Sequence, residues 1–182
     1  RLLSIVTAAC SGSGAEIDGA QVFTTSDGRA LDIIRINRAF KDDEDELRRA
    51  RSIGKNIEDM LLGKLDTPTL LSRPNQHRKL PKAFRVTPRV TIDNSLSNMF
   101  TVVEVEGLDR IGLLSDLTDV IADLQLDIRS AHVTTIGEKI IDSFYVTDLI
   151  GHKIVDPVRQ ARIRSAVLRL LDAHGARRGK AA

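Results

Sequence analysis

The chain has 182 residues, 42% of them hydrophobic, with 27 basic against 25 acidic side chains and a formal net charge of +2. That length holds one large or two small self-folding domains, and so balanced a charge creates no global field that demands a nucleic acid or a membrane surface. A single cysteine, Cys10, excludes an internal disulfide and points to a reducing compartment; with no run of ~18 apolar residues and no charged-then-apolar leader in view, a cytoplasmic location is expected.

Leu2 to Ser11 reads as a helix, with Cys10 as a buried structural thiol among apolar neighbours. Ala15 to Thr25 reads as a strand, Ser26-Asp27-Gly28 as a turn, and Ala30 to Arg38 as a returning strand. The acidic run Asp42, Asp43, Glu44, Asp45 and Glu46 precedes apolar residues at helical spacing (Leu47, Ala50, Ile53, Ile57, Met60, Leu61). A helix from Asp45 to Leu62 is therefore expected, the run serving as N-terminal capping charge. Four of the five prolines, Pro68, Pro74, Pro81 and Pro88, lie between that helix and Asn94, which marks 64–84 as an extended linker. The basic clusters at Arg73 to Arg85 and Arg177 to Lys180 read as solvated charge. A strand near Arg85 to Asn94 is expected to complete the first unit.

Phe100 to Glu106, rich in Val, Phe and Thr, reads as a strand. Asp109 is expected to cap a helix whose buried face is Ile111, Leu114, Leu117, Val120, Ile121 and Leu124. Asp127 to Thr135 and Ile140 to Leu149 form a hairpin about the turn at Gly137, Glu138 and Lys139. Asp156 with Pro157 opens a last helix through Val158, Ile163, Val167, Leu170, Leu171 and His174. Gly175 is expected to end it, ahead of a polar tail at 176–182; a closing strand is expected for the unit but is not visible before that tail.

The chain aligns with itself at an offset of 111 residues. Leu2, Leu3 and Ser4 fall on Leu113, Leu114 and Ser115; Thr7 on Thr118, Ile17 on Ile128, Ala20 on Ala131, Val22 on Val133 and Thr24 on Thr135. With one extra residue allowed in the turn Ser26 to Arg29, Asp32 falls on Asp142 and Ile36 on Val146. This period is too long for a solenoid and indicates a duplicated domain. The order of elements predicts an α+β fold of two ferredoxin-like βαββαβ units, each an antiparallel sheet with helices on one face. The first would span 1–63 plus 85–97 and the second 98–175. The first copy opens beyond its own leading strand and junction, so a fragment of a longer chain, cut inside or just before the first repeat, is expected. Sheets covered on one side only can pair edges between adjacent units or between chains.

The run from Thr101 through Glu104, Glu106, Gly107, Leu108, Asp109, Arg110, Ile111 and Gly112 to Leu114 resembles the opening of an ACT domain, a ferredoxin-like regulatory module that binds amino acids. Together with Val90-Thr-Ile-Asp-Asn-Ser95, Ser130-Ala-His-Val-Thr-Thr135 and Ile141-Asp-Ser-Phe-Tyr-Val-Thr-Asp148, it is similar to the tandem C-terminal ACT domains of the bacterial bifunctional uridylyltransferase and uridylyl-removing enzymes that act on the nitrogen regulatory protein PII. The resemblance implies a glutamine-sensing module, with PII as partner through the parent enzyme and an ACT–ACT dimer as its assembly. It places catalysis upstream: a nucleotidyltransferase domain using Mg2+ and UTP, and an HD-type phosphodiesterase. The chain shows neither the Gly-Ser with paired Asp of the former nor the His-Asp metal pair of the latter. Its four histidines, His77, His132, His152 and His174, are scattered. The fragment is expected to be catalytically inert and to hold no cofactor.

An α-amino acid offers a carboxylate, suited to a helix N-terminus, and an ammonium, suited to a side-chain carboxylate. Asp109 can supply the carboxylate, and Gly112, without a Cβ, leaves room at the first helical turn. The bland alternative is that Asp109 caps the helix and Gly112 packs against the sheet. The resemblance implies a site between two modules, the junction of one facing the second strand of its neighbour. The candidate binding residues are thus Asp109, Arg110, Gly112, Leu113, Ala131, His132 and Val133, with no catalytic or metal-binding residue. Gln21 stands where His132 does in the other copy. Asp142 and Asp148 lie ~20 Å apart on an extended strand, too far to share a cation. Three other readings are the tail of a different amino-acid-controlled enzyme, an RNA-binding module, and an acylphosphatase-like hydrolase. The RNA reading lacks the aromatic residues on middle strands that base stacking needs, and the hydrolase reading lacks a partner for Arg110 and leaves the duplication unexplained.

Overall fold

A computed structural model describes residues 2–25, 27–72 and 86–178. The elements run α1 (Leu2–Gly12), β1 (Ile17–Thr24), β2 (Ala30–Ile36), α2 (Asp43–Leu61), α3 (Thr67–Leu71), β3 (Arg89–Asp93), β4 (Thr101–Leu108), α4 (Leu113–Asp123), β5 (Leu126–Ile136), β6 (Lys139–Asp148) and α5 (Pro157–Arg178). All the strands join one six-stranded sheet in the order β2-β1-β5-β6-β4-β3, and each neighbouring pair is antiparallel. The result is an α+β fold consistent with the ferredoxin-like expectation. Among the described residues no helix is long and apolar enough to cross a membrane.

Period-two alternation sets which side of the sheet is buried. On β4, Val103 and Val105 face the helices, opposite Phe144 and Asp142 of β6. Val90, Val103, Val105, Phe144 and Val146 join Leu113, Leu117 and Ile121 of α4 and Ile163, Val167 and Leu171 of α5 in one core. The α4 spacing is the expected one: Leu117 and Ile121 are fully buried, each worth roughly 1.5–3 kcal/mol of transfer free energy.

The two halves meet at β1 and β5. Gln21 lies opposite His132, Ala20 opposite Val133 and Val22 opposite Ala131. In the self-alignment Gln21 equates with His132, Ala20 with Ala131 and Val22 with Val133. A local twofold axis passing between Gln21 and His132 generates this exchange. In the helix layer above, α1 packs on α4, and the hydroxyl of Ser115 donates to the carbonyl of its own alignment partner, Ser4. The same axis therefore relates the helices and the strands.

Several expectations are corrected. The strand at 89–93 does not complete the first unit. It pairs with β4 at the opposite edge, filling the place of the closing strand that the second unit lacked after its last helix. Residues 67–71 are helical rather than extended: Asp66 caps α3 by accepting from the Thr69 amide, Pro68 lies in the first turn, and Leu70 is fully buried against Gly12, where any Cβ would overlap it. Gly175 does not end α5, which continues to Arg178. The basic cluster's residues 73–85 lie outside the described residues, as do 179–182 of the tail.

The acidic run has two structural jobs. Asp42 caps α2, accepting from the Glu44 amide. One oxygen of Glu46 accepts from the amides of Ala39 and Phe40, while its other oxygen pairs with the buried Arg49, whose guanidinium also donates to Asn37 O at 2.7 Å. The loop after β2 is thereby fastened to α2.

Candidate functional site

The strand-to-helix junction leaves β4 at Leu108, opposite Lys139, and is tied at once to the β5–β6 turn: the Asp109 amide donates to Glu138 O at 2.8 Å. Asp109 does not cap α4. The N-cap is Gly112, at φ +77, which has no side chain to offer the first turn. Only glycine enters this left-handed conformation freely, and the position is tight as well, since a Cβ there would lie 2.9 Å from Leu71 Cδ1 of α3. The space expected to admit a ligand beside Gly112 is thus lined by Leu71. Arg110 is committed to α4, its guanidinium donating to Asp116 Oδ2 at 2.6 Å and to Ile111 O.

A second acidic group, absent from the sequence-based candidates, interacts electrostatically with Asp109. Asp142, only 1% exposed, faces the core opposite Val105, between the buried Ile140 and Phe144 of the same strand. Its Oδ1 accepts from the Thr134 amide at 3.2 Å. Burial pushes its carboxyl up to about 7 against the pull of that amide, and the charge of Asp109 pushes it further the same way. The signal was present in the sequence: Asp142 interrupts an apolar period-two row of Ile140, Phe144 and Val146. Its counterpart Asp32, facing Val22 on β2, is raised by desolvation too and has one buried oxygen without a hydrogen-bond partner. Asp142 links the junction to the seam, because Thr134 lies on β5 opposite Gly19 of β1.

The seven candidate residues fall into two groups. Asp109, Arg110, Gly112 and Leu113 stand together at the junction, although the Leu113 side chain is core. Ala131, His132 and Val133 stand on the seam strand, where alternation divides them. Ala131 and Val133 are buried on the helix side, while His132 is exposed on the open face and meets Tyr145 edge-on at 5.8 Å between ring centroids. The backbone of β5 at Thr134, rather than the His132 side chain, is what reaches toward the junction. Among the described residues no cluster of three or more His, Cys, Asp or Glu is placed to hold a metal.

Chemically, the junction sets the carboxylate of Asp109 three residues before the N-cap of a helix; the Leu113 amide there already donates to Arg110 O, and the other first-turn N–H groups have no intrahelical acceptor. A cationic group fits the carboxylate and an anionic one the helix end.

An ACT domain is detected at residues 101–166. The match begins at the first residue of β4, takes in the junction, α4 and the β5–β6 hairpin, and ends inside α5. Over this part of the chain it implies a regulatory amino-acid-binding module. No solved structure matches the chain with significance.

Proposed function

We propose that the chain is a glutamine-sensing pair of ACT units that regulates the uridylylation and deuridylylation of PII by catalytic domains elsewhere in a parent enzyme. The observation that carries the amino-acid reading is the ACT match over β4 to α5, with Asp109 just ahead of the N-cap of α4. The tandem reading draws support from the local twofold that brings Gln21 onto His132 and Ser115 onto Ser4. The choice of glutamine and PII rests on the resemblance of the quoted segments. Mg2+ and UTP belong, on this reading, to the upstream nucleotidyltransferase.

The ligand's ammonium would sit at Asp109 and its carboxylate at the first turn of α4. Transmission requires that the ligand bind two arrangements of the units with different affinity, since equal binding shifts nothing. Calorimetric titration with glutamine, glutamate, serine and leucine tests the reading. Saturable heat with glutamine alone supports it. Saturable heat with serine or leucine but not glutamine transfers the module to another amino-acid-controlled enzyme, and no heat with any of them at millimolar concentration removes the amino-acid reading.

A further inference from the structure

The local twofold predicts two equivalent places on the open face of the sheet, one on each side of the Gln21–His132 pair. They are not equivalent. On one side, Phe23 of β1 lies opposite Ser130 and Tyr145 stands against the His132 ring. On the other side the aligned positions hold Gly19 for Ser130, Thr134 for Phe23 and Arg35 for Tyr145. Here the surface opens into a hollow of about 250 Å³ lined by Gly19, Gln21, Ile33, Arg35, His132 and Thr134 among others.

The floor of the hollow is made by Gly19. A Cβ at Gly19 would lie 2.4 Å from Arg35 Nη2, so the guanidinium lies directly on the glycine backbone. Its nearest acidic group is Asp18, with Nε to Oδ1 at 3.8 Å, beyond hydrogen-bonding distance. The side chains of Arg35, Gln21 and Thr134 make no hydrogen bonds among the described residues. The rim thus presents the Arg35 cation, with the Asp18 carboxylate as a loose ion-pair partner just outside the lining, and the polar side chains of Gln21, Thr134 and His132. A planar guanidinium suits two-point recognition of a carboxylate, and the volume suits a molecule of metabolite size rather than a larger ligand.

We propose that this open-face hollow is a binding site for a small carboxylate, separate from the junction at Asp109 and built from both repeats. Arg35 grips the carboxylate in the plane of its guanidinium, and Gln21, Thr134 and His132 contact the remainder. The glycine at position 19 is what allows the arginine to lie flat. Because β1 and β2 of one half and β5 of the other line the hollow, occupation would tie the two halves together across the seam.

The test is titration of the 15N-labelled 182-residue chain with succinate at constant ionic strength, followed by amide shifts, with Arg35→Gln and Arg35→Lys as variants. Saturable shifts centred on Gly19, Gln21, His132 and Thr134 are expected. Arg35→Gln should weaken binding roughly tenfold or more, the usual loss when a charge-assisted bond is removed, and Arg35→Lys should restore only part. Phosphate competing at the same residues supports the anion site, whereas phosphate binding without succinate overturns the carboxylate assignment. Absence of saturable shifts, or shifts unchanged in Arg35→Gln, overturns the proposal whether or not glutamine binds at the junction. Arg35 is largely exposed, so its variants are expected to fold.

Discussion

Ser115 on α4 donates its hydroxyl hydrogen to the backbone carbonyl of Ser4 on α1 at 3.0 Å, and the two residues are the same position in the two repeats. Both are buried. Two helices related by a twofold must present the same residue to each other where the axis crosses, and a serine there lets them approach closely while satisfying a polar group. Ser115→Ala removes one of two side-chain donors to the Ser4 carbonyl, the Thr7 hydroxyl at 3.2 Å being the other, and should cost about 0.5–1.5 kcal/mol, the net worth of one hydrogen bond, read as a shift in the denaturation midpoint at unchanged slope. Ser115→Leu should cost more, because the added side chain must separate α1 from α4.

Gly112 is predicted to be intolerant of any side chain. Its φ of +77 costs an L-residue about 1–2 kcal/mol, and Leu71 occupies the space a Cβ needs. Gly112→Ala should therefore destabilise by at least that amount in urea denaturation. Adding Leu71→Ala should recover only the steric part, leaving the backbone part in place.

Leu70→Ala should cost roughly 2–5 kcal/mol, the range for emptying a fully buried leucine site. The side chain is 0% exposed and fills the notch left by Gly12. A value near zero, measured by thermal or chemical denaturation, would show that α3 is not docked as described.

Asp142 gives stability a pH dependence of known sign. Its folded-state carboxyl is pushed up to about 7 from an ordinary value of 3.8. Between those values the folded chain holds a proton that the unfolded chain has released, so stability falls as pH rises through this window and levels off above it. Asp142→Asn keeps the acceptor for the Thr134 amide and removes the charge. Its melting temperature should exceed that of the parent at pH 8 and approach it near pH 4, with a ceiling of a few kcal/mol at ~1.4 kcal/mol per pKa unit. Equal pH profiles for the two proteins would contradict the burial of a titrating carboxylate there.

The local elements were legible because their signals are local. The spacing of Leu117 and Ile121 announced α4, and Gly137 between two β-branched runs announced the β5–β6 hairpin. Edge pairing was not legible in the same way: Val90 and Ile92 alternate as a strand should, but that pattern fits the free edge of either unit, and only the packing of α5 on β3 and β4 decides between them. The short helix α3 was readable from Asp66, Thr67 and Pro68, a cap followed by an early proline, yet the surrounding prolines argued for a linker. At the junction, Asp109 and Gly112 stand out by their residue types. Asp109 was expected as the helix cap, a role taken by the backbone of Gly112 because the chain makes a left-handed step before α4 begins. In the sequence Asp142 enters only as the repeat partner of Asp32 and through its spacing from Asp148, although a carboxylate in a core-facing row needs an explanation of its own.

The amino-acid site proposed at the junction is tested most directly by titrating the 15N-labelled chain with glutamine and following the amides of Asp109, Ile111 to Leu114, Thr134 and Asp142, in the parent chain and in Asp109→Asn. The account predicts saturable shifts at these residues and an affinity lowered about tenfold or more when the carboxylate that receives the ammonium becomes an amide. Shifts that fail to saturate at millimolar glutamine, that leave residues 109–114 untouched, or that persist unchanged in Asp109→Asn would contradict it.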